Sequence, residues 1–305
     1  FSFKEALGAL TNKIRLMFEL CDWAWKYSSF TLQEKQRIFI QNILYGNPSP
    51  EDLANSIALL SGILHDATHR NVIILIDEYD VPLQSAFLHG YYDEMLTFLR
   101  TMMSSALKTN PYLERGMITG CLRVSKESSL SGLNNVESHT IMSEGKREFF
   151  GFEPAEVHEM LHYFNLDDAY PQFEYNYDGY NFCGRHAHNP WSVIMCTRAL
   201  LEGCELPYRT YWLNTSGNAV VESVIQQNEY IRQKCFELLQ GKSIRARVSE
   251  FLTWKDLRYD SKNAWSLLTF SGYLKPVSAI DLPGDSWRCE LAIPNREVKE
   301  VFAIE

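Results

Sequence analysis

Five aliphatic residues in a row, Val72-Ile73-Ile74-Leu75-Ile76, run directly into Asp77-Glu78-Tyr79-Asp80. A short run rich in β-branched side chains, apolar at every position instead of every second one, predicts an inner strand of a parallel sheet covered on both faces. The surrounding pattern supplies the covers. Ala6, Leu10, Ile14 and Met17 recur at helical spacing, as do Phe39 and Ile43, then Leu53, Ile57, Leu60 and Leu64. Between them Ser49-Pro50-Glu51-Asp52 forms a helix start, with a capping hydroxyl, a proline in the first turn and acids near the positive helix end. After Pro82 and Gly90 a helix is expected from about Tyr91 to Lys108, stopped by Asn110-Pro111, and then a second strand, Gly116 to Cys121. Strand, helix, strand makes a βαβ unit, so residues 1–150 are expected to form an α/β core with a right-handed crossover.

From about Phe149 the pattern changes, and residues 151–305 read as a mostly helical second domain. Pro154-Ala155-Glu156 opens a helix through Tyr163, Asn189-Pro190-Trp191-Ser192 opens another, and further helices are expected over about Ala219–Leu239 and Ala264–Phe270. Tyr175 to Tyr180 reads as an aromatic loop that packs over a domain junction or stacks a ring. Two strands, Tyr273 to Lys275 and Arg288 to Ala292, joined across Leu282-Pro283-Gly284-Asp285, would close a small winged-helix-like unit.

Composition narrows the partners. Lys+Arg 29 against Asp+Glu 38 leaves a formal charge of −9, which excludes a chain-wide basic surface for nucleic acid or anionic lipid but not a local patch. The longest apolar run is far short of the roughly 20 residues a membrane helix needs. Seven cysteines with no Cys-x-x-Cys pair, and no signal-peptide pattern at the start, point to reduced thiols in a cytoplasm-like compartment. The chain begins on Phe1 and is amphipathic at once, so its natural start is expected upstream.

A buried strand ending in two adjacent carboxylates is the Walker B arrangement of P-loop NTPases, because ligands bind beyond the carboxyl ends of parallel strands. Asp77 is placed to order Mg²⁺ through water, and Glu78 to position the attacking water. Any buried strand must end in polar residues, so the pair by itself is ambiguous. The second strand adds Thr119 and, past Cys121, Arg123, a hydroxyl and a guanidinium suited to sensing a γ-phosphate; a lone Arg beyond a strand is more often solvated surface.

Together these segments resemble the AAA-ATPase-like family of large, mostly bacterial proteins, in which a P-loop ATPase core precedes a helical region and, often, a nuclease-like domain of the PD-(D/E)XK type. The resemblance rests on Ile74 to Asp80, Gly116 to Asn135, Tyr177-Asp178-Gly179-Tyr180 with Asn189-Pro190-Trp191-Ser192, Tyr211 to Ser216, Trp265 to Leu274, and Ile293-Pro294-Asn295-Arg296-Glu297-Val298. It implies ATP and Mg²⁺ as cofactors, with Asp77, Glu78 and Arg123 in catalysis, Asp77 at the metal, Thr119, Asp80 and Lys126 near the nucleotide, and a nuclease-like effector as partner. One departure matters. No Gly-x-x-x-x-Gly-Lys-[Ser/Thr] occurs in these 305 residues; Gly241-Lys242-Ser243 lacks the earlier glycine, position 236 being Phe, and follows a helix, so it reads as a helix-ending turn. The chain alone is therefore expected to be hydrolytically inactive, or to serve as a nucleotide-state switch or scaffold.

Other matches favour plainer readings. His158-Glu159-Met160-Leu161-His162 is literally the zincin pattern, which would bind Zn²⁺ with Glu159 as general base; the downstream Gly and His of metzincins are absent, which leaves a Glu further along as third ligand, and a variable surface helix is the plainer reading. Cys183, His186 and His188 offer soft ligands without a fourth partner, and Ser105 to Lys108 matches a penicillin-binding pattern without its companions. Glu297-Val298-Lys299 has the Glu-x-Lys of a nuclease core yet reads as an ordinary surface pair on a terminal helix. Lys242, Arg245 and Arg247 make a modest basic cluster that is conceivable for DNA but fits better a solvated edge strand, with Arg245 and Arg247 on one side.

Overall fold

The computed structural model describes residues 1–26, 32–121, 136–204, 209–212, 225–226, 228–250, 263–284 and 286–304. It divides into two compact units, Phe1–Val136 and Glu137–Glu305.

In the first unit local capping does what the sequence asks. α1 (Phe3–Leu20) begins on a capping box in which the Ser2 N–H donates to Glu5 Oε2 at 2.7 Å and the Glu5 N–H donates to Ser2 Oγ. After α2 (Trp23–Lys26) and α3 (Glu34–Tyr45), Ser49 caps α4 (Pro50–Thr68) in the same way, its Oγ accepting from the Asp52 N–H at 3.1 Å. Ile14, Phe18, Ile43, Leu53, Leu60 and Ile63 form the buried interior of this helical layer. Arg15 pins α1 to the end of α3, donating to the carbonyls of Ile43 (2.9 Å) and Gly46 (2.7 Å), two acceptors that the helix itself leaves free.

β1 (Val72–Ile76) is followed by α5 (Val81–His89), α6 (Tyr92–Met103) with a wider helical turn through Lys108, and β2 (Leu113–Ile118). β2 runs parallel to β1, with Ile74 opposite Gly116 and Ile76 opposite Ile118, so the strand–helix–strand unit is present. β2 lies about three residues earlier than expected, because pairing with β1 ends where β1 ends. One expectation is corrected. β1 is not covered on both sides: Ile74 is buried, but Ile73 and Leu75 are 63% and 72% exposed, and Met117 beside Leu75 is 57% exposed. Among the described residues β2 is the sole strand neighbour of β1.

The second unit holds α7 (Pro154–Tyr163), α8 (Tyr170–Tyr177), β3 (Tyr180–Phe182), β4 (Arg185–Ala187), α9 (Pro190–Leu201), α10 (Glu229–Leu239), β5 (Ile244–Ser249), α11 (Ala264–Phe270), β6 (Lys275–Leu282), β7 (Ser286–Ala292) and α12 (Arg296–Ile304). Five strands therefore punctuate a region that reads as mostly helical. The aromatic stretch is no loop: Tyr175 to Tyr177 finish α8, and Tyr180 starts β3, with Tyr177 and Tyr180 buried. Pro at the start of α8 and aromatic spacing along one face explain the helix, and Phe173 and Tyr177 pack with Val157, Leu161, Val193 and Cys196. Burying Phe173 alone contributes roughly 2–3 kcal/mol. Of the helix expected from Ala219, Glu229–Leu239 is seen, while 219–224 and 227 lie outside the described residues. Gly241, at φ 79°, sits in the turn that ends α10, as expected for Gly241-Lys242-Ser243. The terminal hairpin is longer than its sequence pattern suggests and is joined by β5, giving the sheet order β5-β7-β6. No helix among the described residues is long and apolar enough to cross a membrane.

Candidate functional site

The carboxylates beyond β1 are fixed by the end of β2. The Thr119 N–H donates to the Ile76 carbonyl at 2.9 Å, and the Tyr79 N–H returns a bond to the Thr119 carbonyl at 2.9 Å. This closure brings side chains together: Thr119 Oγ1 donates to Asp77 Oδ1, which also accepts from the Glu78 N–H at 3.0 Å. Both donors fall on Oδ1, so the other oxygen of the exposed Asp77 faces solvent. Glu78, also exposed, sits at φ 53°, a left-handed conformation uncommon for glutamate that swings its side chain away from the strand direction. Asp80 is different. It is buried, it precedes the first turn of α5, and its Oδ1 accepts from the Cys121 N–H at 3.3 Å. A Cβ on Gly120 would stand 2.5 Å from that oxygen and 2.7 Å from the Tyr79 ring, so only glycine fits where the chain leaves β2. Asp80 thus helps to shape the loop that leaves β2. One free carboxylate oxygen at a strand tip suits Mg²⁺, which keeps several waters and takes one or two carboxylates. Arg123 and Lys126 lie outside the described residues.

The metal readings elsewhere find no support. Among the described residues no group of three or more His, Cys, Asp or Glu side chains is arranged to hold a metal ion. On α7, His158 stacks on Tyr170 with ring centroids 3.4 Å apart, and His162 Nδ1 pairs with Asp167 Oδ1 at 2.9 Å, so each imidazole is engaged separately. His188 is sealed in the interior, where burial holds its pKa below the usual histidine range against the pull of Asp178, whose Oδ1 lies 3.7 Å from Nδ1.

A second constellation is one that sequence reasoning missed. Glu297, expected as half of a surface pair, is fully buried in α12. Its carboxylate accepts from Ser192 Oγ at 2.7 Å and from the Trp212 N–H at 2.8 Å. Tyr180, buried beside it, has its hydroxyl pKa pushed well up by burial and by Glu297, with hydrogen bonds to Asn189 and Asn295 working against that. Burial likewise raises the pKa of Glu297, opposed by its hydrogen bonds from Trp212, Ser192 and Tyr211. A side chain on Gly179 would strike the Pro294 carbonyl oxygen. The separate motifs around Tyr177–Tyr180, Asn189–Ser192, Tyr211–Trp212 and Pro294–Glu297 therefore meet in one knot. The available signal was their polar and glycine content; an i, i+2 spacing carries no information about burial.

Residues 5–130 match the family model described as "Predicted AAA-ATPase". An "Uncharacterized protein in vnfD 5'region" of Azotobacter chroococcum mcd 1 is 24% identical over 238 residues, a stretch covering 77% of this chain and 42% of that relative. The chain thus spans less than half the length of the curated relative it matches. No solved structure matches it. The strand, its paired acids and the hydroxyl of the neighbouring strand all lie inside the segment that is similar to the AAA-ATPase-like family.

Proposed function

We propose that this chain carries the metal- and water-orienting half of an ATP-hydrolysing site. The observation that carries the reading is the Thr119–Asp77 hydrogen bond across the carboxyl ends of two neighbouring parallel strands. In it, Asp77 orders Mg²⁺ through its free oxygen, Glu78 orients water, and Thr119 fixes the Asp77 rotamer while lying where a γ-phosphate oxygen would be read. Arg123 and Lys126 are assigned to phosphate on the family resemblance. Asp80 is assigned a supporting role, holding the loop that leads to them. The bound nucleotide would supply the phosphoanhydride, and its phosphates need the backbone N–H groups and lysine of a phosphate loop; no Gly-x-x-x-x-Gly-Lys-[Ser/Thr] occurs in the 305 residues, so in this reading such a loop from outside them completes the site.

The bare face of Ile73, Leu75 and Met117 supports that completion, since an apolar sheet face seeks a covering layer. The order helix, strand, helix, hairpin, with the sheet arranged β5-β7-β6, supports the winged-helix-like reading of the C-terminal unit. The nuclease-like effector, and with it the switch or scaffold reading, rests on the resemblance alone.

Calorimetry on the 305-residue chain should find Mg·ATP affinity weaker than micromolar. In a longer form carrying the phosphate loop, Glu78→Gln should abolish turnover and leave ATP binding intact. Micromolar binding by the 305-residue chain, or full turnover by the Gln variant, would overturn the proposal.

A further inference from the structure

The three-stranded sheet of the second unit carries an arrangement that ATP chemistry does not use. β7 lies between β5 and β6, and the register sets Arg247 opposite Arg288 with Ile280 beyond, and Arg245 opposite Glu290 with Ser278 beyond. Alternation along the strands turns Ile244, Ala246, Val248, Cys289 and Leu291 inward, where all are buried. Arg245, Arg247 and Arg288 consequently share the outer face, and all three are exposed.

Like charges directly opposite each other destabilise a sheet. Here the repelling pair includes a residue of the central strand, in a chain whose net charge is −9 and which has acids to spare. Arg247 Nη2 donates to Ser286 Oγ at 2.9 Å, which steadies that guanidinium without neutralising it. The acid of this face, Glu290, accepts from Ser243 Oγ, and exposed Lys242 lies just before β5. An anion bridging the two guanidinium forks would turn the repulsion into a contact, and arginine forks match phosphate oxygens in pairs.

The spacing selects the kind of anion. Arg245 and Arg247 are two residues apart on one strand, about 6.7 Å at the usual rise. Arg288 stands roughly 5 Å across from Arg247. That is a flat, open ladder on the scale of the phosphate-to-phosphate step of a nucleic-acid strand, not an enclosed pocket for one small anion. Ile280, 63% exposed at the end of the Arg247–Arg288 row, offers an apolar surface for a sugar or base. α11, in contrast, is buried from Ala264 through Thr269, so the sheet face and not that helix is available for docking. The geometry points to the outer face of β5, β7 and β6 as a binding surface for the phosphodiester backbone of nucleic acid, read without base specificity.

The test is fluorescence anisotropy with the whole 305-residue chain and labelled oligonucleotides of about 20 nucleotides, single-stranded and duplex, titrated from about 50 to 200 mM salt. Both should bind with affinity that falls as salt rises, with a log–log slope of about −2 to −3 for three phosphate contacts. Arg288→Glu should weaken binding at least about tenfold and flatten the slope by about one contact. Because it sets an acid opposite Arg247, it should hold or raise the melting temperature, which separates lost binding from lost folding. If its melting temperature drops instead, Arg247→Glu repeats the reversal from the edge strand. Arg198→Glu, at an exposed position of α9, should leave binding unchanged. The inference is overturned if Arg288→Glu and Arg247→Glu bind like wild type, if neither oligonucleotide binds at the lowest salt, or if polyglutamate or anionic lipid vesicles bind more tightly.

Discussion

Asp77 and Glu297 are held by the same kinds of donor and live in opposite solvents. Each accepts from a side-chain hydroxyl and from backbone N–H: Thr119 Oγ1 and the Glu78 N–H for Asp77, Ser192 Oγ and the Trp212 and Tyr211 N–H groups for Glu297. At Asp77 both donors crowd one oxygen and water reaches the other. At Glu297 the two oxygens are spent separately on two segments, and nothing is left for a ligand. A hydrogen-bond inventory therefore does not distinguish a carboxylate open to a ligand from a buried structural one. Accessibility and the distribution of donors over the two oxygens do.

The contrast can be broken most sharply at Glu297. Glu297→Ala should cost about 3 kcal/mol, because it strands the Trp212 N–H and leaves a cavity among buried side chains; urea unfolding of the whole chain reads it, and a loss below about 1 kcal/mol would mean that the knot holds nothing together. Ser192→Ala should cost about 1–2 kcal/mol by removing one bond from a buried carboxylate. Gly120→Ala should cost about 1–2 kcal/mol, since the new methyl must displace the Tyr79 ring or the Asp80 carboxylate. Asp77→Asn should change stability by less than about 0.5 kcal/mol, because an amide oxygen accepts from Thr119 and Glu78 equally well; in a nucleotide-competent form it should nonetheless lose Mg²⁺-dependent turnover.

The same pair separates with pH. Burial raises the Glu297 pKa above its unfolded value of 4.5, so its favourable contribution is full below that pH and is lost as pH rises through the folded pKa. Glu297→Gln does not ionise, and its stability relative to wild type should therefore improve between acid and neutral pH. A difference that stays flat over that range would show that the carboxylate is already charged at no cost.

How much of this could be read beforehand differs by region. β1 was legible because five aliphatic residues in succession admit few alternatives, and Ser49-Pro50 because capping is local chemistry. The approach of Thr119 to Asp77 was legible only as adjacency of strands, since no spacing encodes a rotamer. The exposure of Ile73 and Leu75 was not legible at all: an aliphatic run states a demand for cover, and whether the chain meets it depends on what else is present. Tyr175 to Tyr180 misled because aromatic residues with Asn, Asp and Gly suit both a loop and a helix end, and packing against Val157 and Val193 decided for the helix. Glu297 misled for the opposite reason, its neighbours in sequence being surface-like while its neighbours in space come from segments up to 105 residues away.

The uncovered strip of Ile73, Leu75 and Met117 has a practical corollary. Among the described residues it lies on a sheet of two strands, and such apolar ribbons tend to stack edge to edge or face to face between molecules. Concentrated solutions of the isolated chain should accordingly form reversible clumps that dilution or a single Leu75→Lys charge disperses, a handling property set by geometry next to the Asp77–Glu78 pair.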